Sequence, residues 1–185
     1  MDHYHYMILP AAACFILAGI HAYLGIHVLD RKVIFVDLAL AQISAFGYAV
    51  AYLHGYEPQS PHAYACSLIF TFIGAALFAI SRLKKSDQPQ EAFIGVIYVV
   101  FSAAAILVLA HAPHGAEYIK ELLEGNIVWV LAPEVLKIAV IYGVIAAIHF
   151  FFQKQFFRIT FHPEEAEREG LRVRWWDFLF YVTFG

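Results

Sequence analysis

Ala92-Phe93-Ile94-Gly95-Val96-Ile97-Tyr98-Val99-Val100-Phe101-Ser102-Ala103-Ala104-Ala105-Ile106-Leu107-Val108-Leu109-Ala110 carries no charge from end to end. About 20 consecutive apolar residues cross a ~30 Å hydrocarbon core as a helix. The run shows no period-2 alternation, which argues against a barrel strand. Four more runs of the same kind lie around it, at residues 7–29, 33–53, 63–80 and 135–152. A last run, 175–185, begins in the same way and stops at Gly185. Its residues rise only about 16 Å as a helix, about half of the core. Terminal carbonyls left in hydrocarbon cost several kcal/mol each, so the sequence is expected to be a piece of a longer chain. The apolar piece 127–132, too short to cross, reads as a re-entrant or interfacial turn ending at Pro133.

The whole chain agrees with this reading. Of its 185 residues 62% are hydrophobic and 15% charged, with mean hydropathy +0.66. Soluble domains average roughly 45–50% apolar and about 25% charged. Disorder, a basic nucleic-acid binder and a disulfide-rich secreted module are excluded. Cys14 and Cys66 stand alone and fit no metal or redox spacing. Met1-Asp2-His3-Tyr4-His5-Tyr6 supplies no basic region before the first run, so that run reads as a retained span. The expected fold is all-α: a polytopic transmembrane helix bundle forming one domain, with five complete spans and the start of a sixth.

Charge sets the expected orientation. Arg31, Lys32, Arg82, Lys84, Lys85, Lys154, Arg158, Arg168, Arg172 and Arg174 fall in loops on one side. Of the 12 basic residues only Lys120 and Lys137 fall on the other. The basic side is expected to be cytoplasmic and the N-terminus outside. His3, His5, His54, His62, His111 and His114 lie at the outer side. Imidazole is the commonest ligand for transition metals. His3/His5 and His111/His114 are therefore candidate metal-holding pairs, or else solvated loop residues.

Asp37 is the costliest residue in the second run, since ionisable groups within a span usually face the bundle interior or a water-filled path. Either it lines such a path or it pairs with Arg31 or Lys32. Asp37, Ala41, Ser44 and Tyr48 share one helical stripe, and Ala41, Ala45 and Ala49 permit close helix approach. Gln42 points elsewhere and suits an interhelical hydrogen bond. Asp37, Gln42, Ser44 and His21 are the candidate path residues. His21 and His149 are the one histidine pair that would suit haem, which gives an alternative reading as a membrane electron carrier.

On the basic side, Phe161-His162-Pro163-Glu164-Glu165-Ala166-Glu167-Arg168-Glu169-Gly170-Leu171 reads as a short helix. Proline suits its first position, two glutamates suit its positive end, and glycine suits its stop. So short a helix needs packing or a partner.

Several segments together resemble the metal-type ABC transporter permease family, whose members import zinc, manganese or iron. The family pattern R-R-x-x-F-x-G-D-A-L-S-H-A-x-L-P-G runs without a gap beside Arg31-Lys32-Val33-Ile34-Phe35-Val36-Asp37-Leu38-Ala39-Leu40-Ala41-Gln42-Ile43-Ser44-Ala45-Phe46-Gly47. Ile94-Gly95-Val96-Ile97-Tyr98, Leu123-Glu124-Gly125-Asn126-Ile127-Val128, Phe161 to Gly170, and Asp177-Phe178-Leu179-Phe180-Tyr181 are similar to later family motifs, in order. Gln42 stands where the family often has histidine, and Asp37 comes one position before the family's aspartate.

The resemblance implies an import permease for a divalent transition metal. It implies a homodimer of permeases, a cytoplasmic ATP-binding subunit that burns the ATP, and an extracytoplasmic metal-binding protein. It further implies that segment 160–172, with Pro163, Glu164, Glu165, Arg168 and Gly170, is the coupling element that the ATPase receives. The chain has no G-x-x-x-x-G-K-[ST] phosphate loop of its own. It is expected to be a non-enzymatic subunit without a resident cofactor, in a bacterial inner membrane. A non-transporting truncated scaffold is the remaining alternative.

Overall fold

The computed structural model describes residues 5–57, 60–82, 89–124 and 127–185. The described residues are mostly helical, in α1 (His5–Asp30), α2 (Val36–Leu53), α3 (Pro61–Ser81), α4 (Gln90–Ala110), α5 (Gly115–Glu124), α6 (Ala132–Phe151), α7 (Gln153–Phe161), α8 (Pro163–Arg168) and α9 (Val173–Phe184). Among them α1, α2, α3, α4 and α6 are long and apolar enough to cross a membrane.

Local chemistry sets the ends. Ser60 caps α3, its Oγ accepting from the Ala63 N–H at 3.2 Å, with Pro61 opening the first turn. At α6 the Leu131 N–H donates to Glu134 Oε2 at 2.8 Å, and Pro133 lies in the first turn. These start signals open α6 at Ala132, before the apolar run at 135–152 begins. The piece expected to be a re-entrant turn is a 3-10 turn, Ile127–Trp129, that leads directly into it. Lys32 takes a left-handed backbone (φ 56°), so α2 begins at Val36 and not at the start of its apolar run. Asp37 then sits in the first turn of α2, where the helix dipole favours an anion.

Helix α2 packs between α3 and α4, while α1 packs on α6; α7 and α9 lie between these groups, touching α1 and α3 respectively. The main core gathers at the α8 end of the bundle. Leu24 and Val28 of α1, Leu40 and Ile43 of α2, Phe78 of α3, Ile94 of α4, Phe156 and Ile159 of α7, Ala166 of α8 and Phe180 and Tyr181 of α9 are all buried in it. A smaller cluster, Ala49, Ala105 and Leu109, closes the α5 end. Close approach on α2 is made at Gly47, against Phe70 of α3, and at Gly74 of α3, against Ile43. Of the expected alanine stripe Ala49 is buried against Ala105 and Leu109 of α4, Ala45 is half-buried and Ala41 is exposed. The outward faces carry bare apolar side chains such as Phe15 (80% exposed), Phe151 (77%), Leu136 and Val96. A water-soluble surface rarely carries so many together.

Two helices were not foreseen. Helix α7 buries Phe156, Ile159 and Thr160, the i, i+3, i+4 pattern of one helical face, within a polar stretch. Helix α5 lays Tyr118 against Tyr52 of α2, ring centres 4.6 Å apart.

Candidate functional site

The densest polar arrangement lies at the root of α8. Arg31, just past the end of α1, sends Nη1 to Asp177 Oδ1 of α9 at 2.9 Å and Nε to Thr160 Oγ1 of α7 at 3.0 Å. Arg82, just past α3, pairs with the same Asp177 oxygen and donates Nη2 to the Ile159 carbonyl at 2.8 Å. His27 Nδ1 shares Thr160 Oγ1 at 2.8 Å. The Arg31 guanidinium lies 4.0 Å from the centre of the Phe180 ring, a cation–π contact. Asp177 and Arg31 have wholly buried side chains, and Arg82 is 12% exposed. Burial pushes the Arg31 guanidinium down to about 10, with Asp177 pulling it back up, so it stays cationic at neutral pH.

Gln90, in the first turn of α4, extends this knot by donating Nε2 to the Phe78 carbonyl at 3.0 Å and Ser81 Oγ at 3.2 Å. The sequence shows Asp177 as part of a family-like motif and not as a site residue. The signal was available: an aspartate within Trp175-Trp176-Asp177-Phe178-Leu179-Phe180 is as costly to bury as Asp37, and it demands a cation.

Helix α8 stands directly on this knot. Pro163 opens it. Gly170 (φ +84°) closes it, donating its N–H to the Glu167 carbonyl at 3.0 Å while Leu171 N–H reaches the Ala166 carbonyl at 3.0 Å. That pair of bonds is a Schellman stop, which needs the left-handed residue that glycine supplies. Ala166 is fully buried in the main core, whereas Glu164, Glu165, Glu167 and Arg168 are exposed. An ion pair of Arg158 with Glu169 ties α7 to the far end of α8. The result is a two-sided element, anchored by one small residue and charged on its open face.

The candidate path residues separate. Asp37, half-buried, lies close enough to His21 of α1 and Tyr142 of α6 to interact electrostatically with both. The His21 and Tyr142 rings are 5.6 Å apart. Tyr142 also lines an open groove of about 320 Å³ between α1 and α6, with Gly19, Ile20 and Gly143. Ser44 turns instead to α3: Ser67 Oγ donates to the Ser44 carbonyl at 2.8 Å, and the two hydroxyls are 2.8 Å apart. Gln42 is half-buried on another side of α2. Arg31 is taken by Asp177 and so does not pair with Asp37; Lys32 is exposed.

At the α5 end, His111 and His114 are exposed. His111 Nδ1 bonds the Leu107 carbonyl at 2.8 Å, and His114 lies 3.8 Å from Glu117. His62 stacks on Tyr56 with ring centres 5.0 Å apart. His3 and the side chain of His5 lie outside the described residues. Among the described residues no group of three or more His, Cys, Asp or Glu side chains is placed to hold a metal ion. Nor are the two histidines of the haem alternative open for ligation on every nitrogen. His149 Nε2 lies 2.9 Å from Thr183 Oγ1, within hydrogen-bond distance. Its ring stacks on Phe156 at 4.1 Å, and His21 Nδ1 is engaged by the Leu17 carbonyl.

Five apolar crossing helices with bare outward faces define a multi-pass membrane protein. A family model described as the ABC 3 transport family matches residues 3–185, and the chain belongs to that family. Among its relatives, a "Probable iron transport system membrane protein" of Haemophilus influenzae is 25% identical over 179 residues, covering 97% of this chain and 61% of its own length. A "Manganese transport system membrane protein MntC" of Listeria innocua is 28% identical over 144 residues, covering 74% of this chain and 50% of its own length. The chain thus spans between half and about three fifths of these relatives. Among solved structures, its fold is similar to "PsaBC from Streptococcus pneumoniae in complex with Fab", with a TM-score of 0.75 and 17% identity, over 99% of this chain and 64% of that one.

Proposed function

We propose that this chain forms the membrane permease, or the larger part of one, of an ATP-driven importer for a divalent transition metal. Iron and manganese are the metals in the names of its relatives, and zinc belongs to the same class of cargo. The observation that carries the reading is the form of α8. A charged helix of under two turns, anchored through Ala166 into the core, holds Glu164, Glu165, Glu167 and Arg168 exposed toward another protein.

In this reading Pro163, Glu164, Glu165, Arg168 and Gly170 form the contact with a cytoplasmic ATP-binding subunit, which hydrolyses ATP on the permease's behalf. Segment 160–172 lies in the cytoplasm and the N-terminus outside, because nearly all lysines and arginines share the side of α8. The protein sits in a bacterial inner membrane as a homodimer. An extracytoplasmic binding protein delivers metal to the α5 end, where His3, His5, His111 and His114 raise its local concentration. Asp37 and His21 carry the cation onward; Ser44, bonded to Ser67 of α3, and Gln42, on another side of α2, stand apart from that pair. Metal is cargo here, and no resident cofactor is required.

Charge reversal at α8 tests the docking. Glu165→Lys with Arg168→Glu is expected to abolish co-purification of a co-expressed ATP-binding subunit, while the permease itself still reaches the membrane. Undiminished co-purification would reject α8 as the contact.

A further inference from the structure

We propose that Asp177 is a transmission pivot, tying the ends of α1 and α3 to the root of α8 so that a displacement of α8 is passed to both groups of packed helices. The proposal rests on the reading of α8 as the ATPase contact and names the residues that act behind it. Asp177, Arg31 and Arg82 touch neither metal nor partner in this scheme; they are positioning residues.

The geometry favours a moving joint over a fixed rivet. A rigid carboxylate–arginine pair uses both oxygens in a parallel fork. Here one oxygen, Oδ1, serves both arginines. The second, Oδ2, is buried without a partner, and so is Arg31 Nη2. The carboxylate therefore has an unused acceptor inside the fold, and the donors can transfer to it as the helices shift. Two cations also share one anion. Either arginine can slide away while the other keeps the carboxylate neutralised, so no step leaves Asp177 as a bare buried charge.

The pivot sits where transmission is needed. α1 packs with α6, α3 packs with α2, and α7 and α9 join the two groups at this end, α7 touching α1 and α9 touching α3. Arg31 is hooked to α7 through Thr160 and Arg82 through the Ile159 carbonyl, and α7 runs into α8 with only His162 between them. Ala166 of α8 shares the core with Phe180 and Tyr181, which flank Asp177 one turn along α9. A push on α8 thus reaches α7 and α9 together, and through the one carboxylate it reaches α1 and α3.

Arg82 is the arm to remove, because Arg31 alone still neutralises Asp177 and the buried charge balance holds. The full-length permease would be reconstituted with its ATP-binding subunit in proteoliposomes, with uptake of manganous ion and ATP hydrolysis followed together. Arg82→Gln is expected to keep the subunits associated but to lower ions moved per ATP by about fivefold or more. Arg82→Lys, which keeps the ion pair, is expected to restore most of that ratio. Equal losses of uptake and hydrolysis, with the ratio unchanged, would overturn the proposal and leave Arg82 a purely structural residue. If Arg82→Gln does not assemble, Thr160→Val decides. It is isosteric and keeps both ion pairs but unhooks Arg31 from α7, so the ratio should fall, and an unchanged ratio overturns the pivot. A wild-type complex with no ATP-driven uptake would sink the permease reading, and the pivot with it; a coupled wild type with unaffected variants would sink the pivot alone.

Discussion

Arg31 and Asp177 are 146 positions apart in the chain and 2.9 Å apart in the fold, with both side chains sealed from solvent. They join the end of the first crossing helix to the last helix described, and the contact draws α7 and α8 into the same corner.

Replacing Asp177 by leucine removes the anion that lies between the buried Arg31 and the partly exposed Arg82. Breaking a buried ion pair from one side costs about 3–5 kcal/mol, because the remaining charge is left uncompensated. Arg82, partly exposed, can turn toward water, so most of the penalty falls on Arg31. Asp177→Leu is expected to lower the thermal midpoint of the detergent-purified protein far more than Phe15→Leu on the outward face. Matching midpoints for the two variants would show that the knot does not stabilise the fold.

The contact of α2 with α3 depends on two glycines, and they should respond unequally. A Cβ on Gly47 would meet Phe70 at its Cβ, 2.8 Å away, at the rigid root of the side chain. A Cβ on Gly74 would meet Ile43 Cδ1 at 2.6 Å, the free end of a side chain that can rotate aside. Gly47→Ala is therefore expected to cost about 1–3 kcal/mol as overpacking, and Gly74→Ala less. Midpoints measured side by side check the order, and the reverse order would contradict the packing described.

The exposed histidines at the α5 end make a separate prediction about transport. With His111 and His114 both changed to alanine, uptake at limiting manganous ion should fall while the saturated rate stays the same, the signature of lost binding and not of lost chemistry. Equal uptake at all concentrations would remove these histidines from the metal route.

The crossing helices were legible because each is written in one contiguous apolar run, and hydropathy is a local property. The α8 segment was legible for the same reason: Pro163, Glu164, Glu165 and Gly170 are start and stop signals within a few residues of one another. The knot beneath it was not read, since its cations and its anion come from three separate parts of the chain. Asp177 carries the same burial cost as Asp37, but it lies in the short last run, where no full span marks it as buried. Ser44 shows the limit of a stripe drawn on one helix: its partner, Ser67, belongs to a helix whose rotation no periodicity in α2 specifies. Helix α7 escaped notice because Gln153, Lys154, Gln155 and Arg158 dilute its apolar face to Phe156 and Ile159.

The side of the membrane on which α8 lies decides most directly whether it can meet an ATPase. Cys14 and Cys66, both free, would be changed to alanine and one cysteine placed at Glu165. A membrane-impermeant maleimide should then label inverted inner-membrane vesicles and leave intact spheroplasts unlabelled. Labelling of intact spheroplasts, with inverted vesicles protected, would put α8 outside the cell and contradict its proposed role as the contact for an ATP-binding subunit.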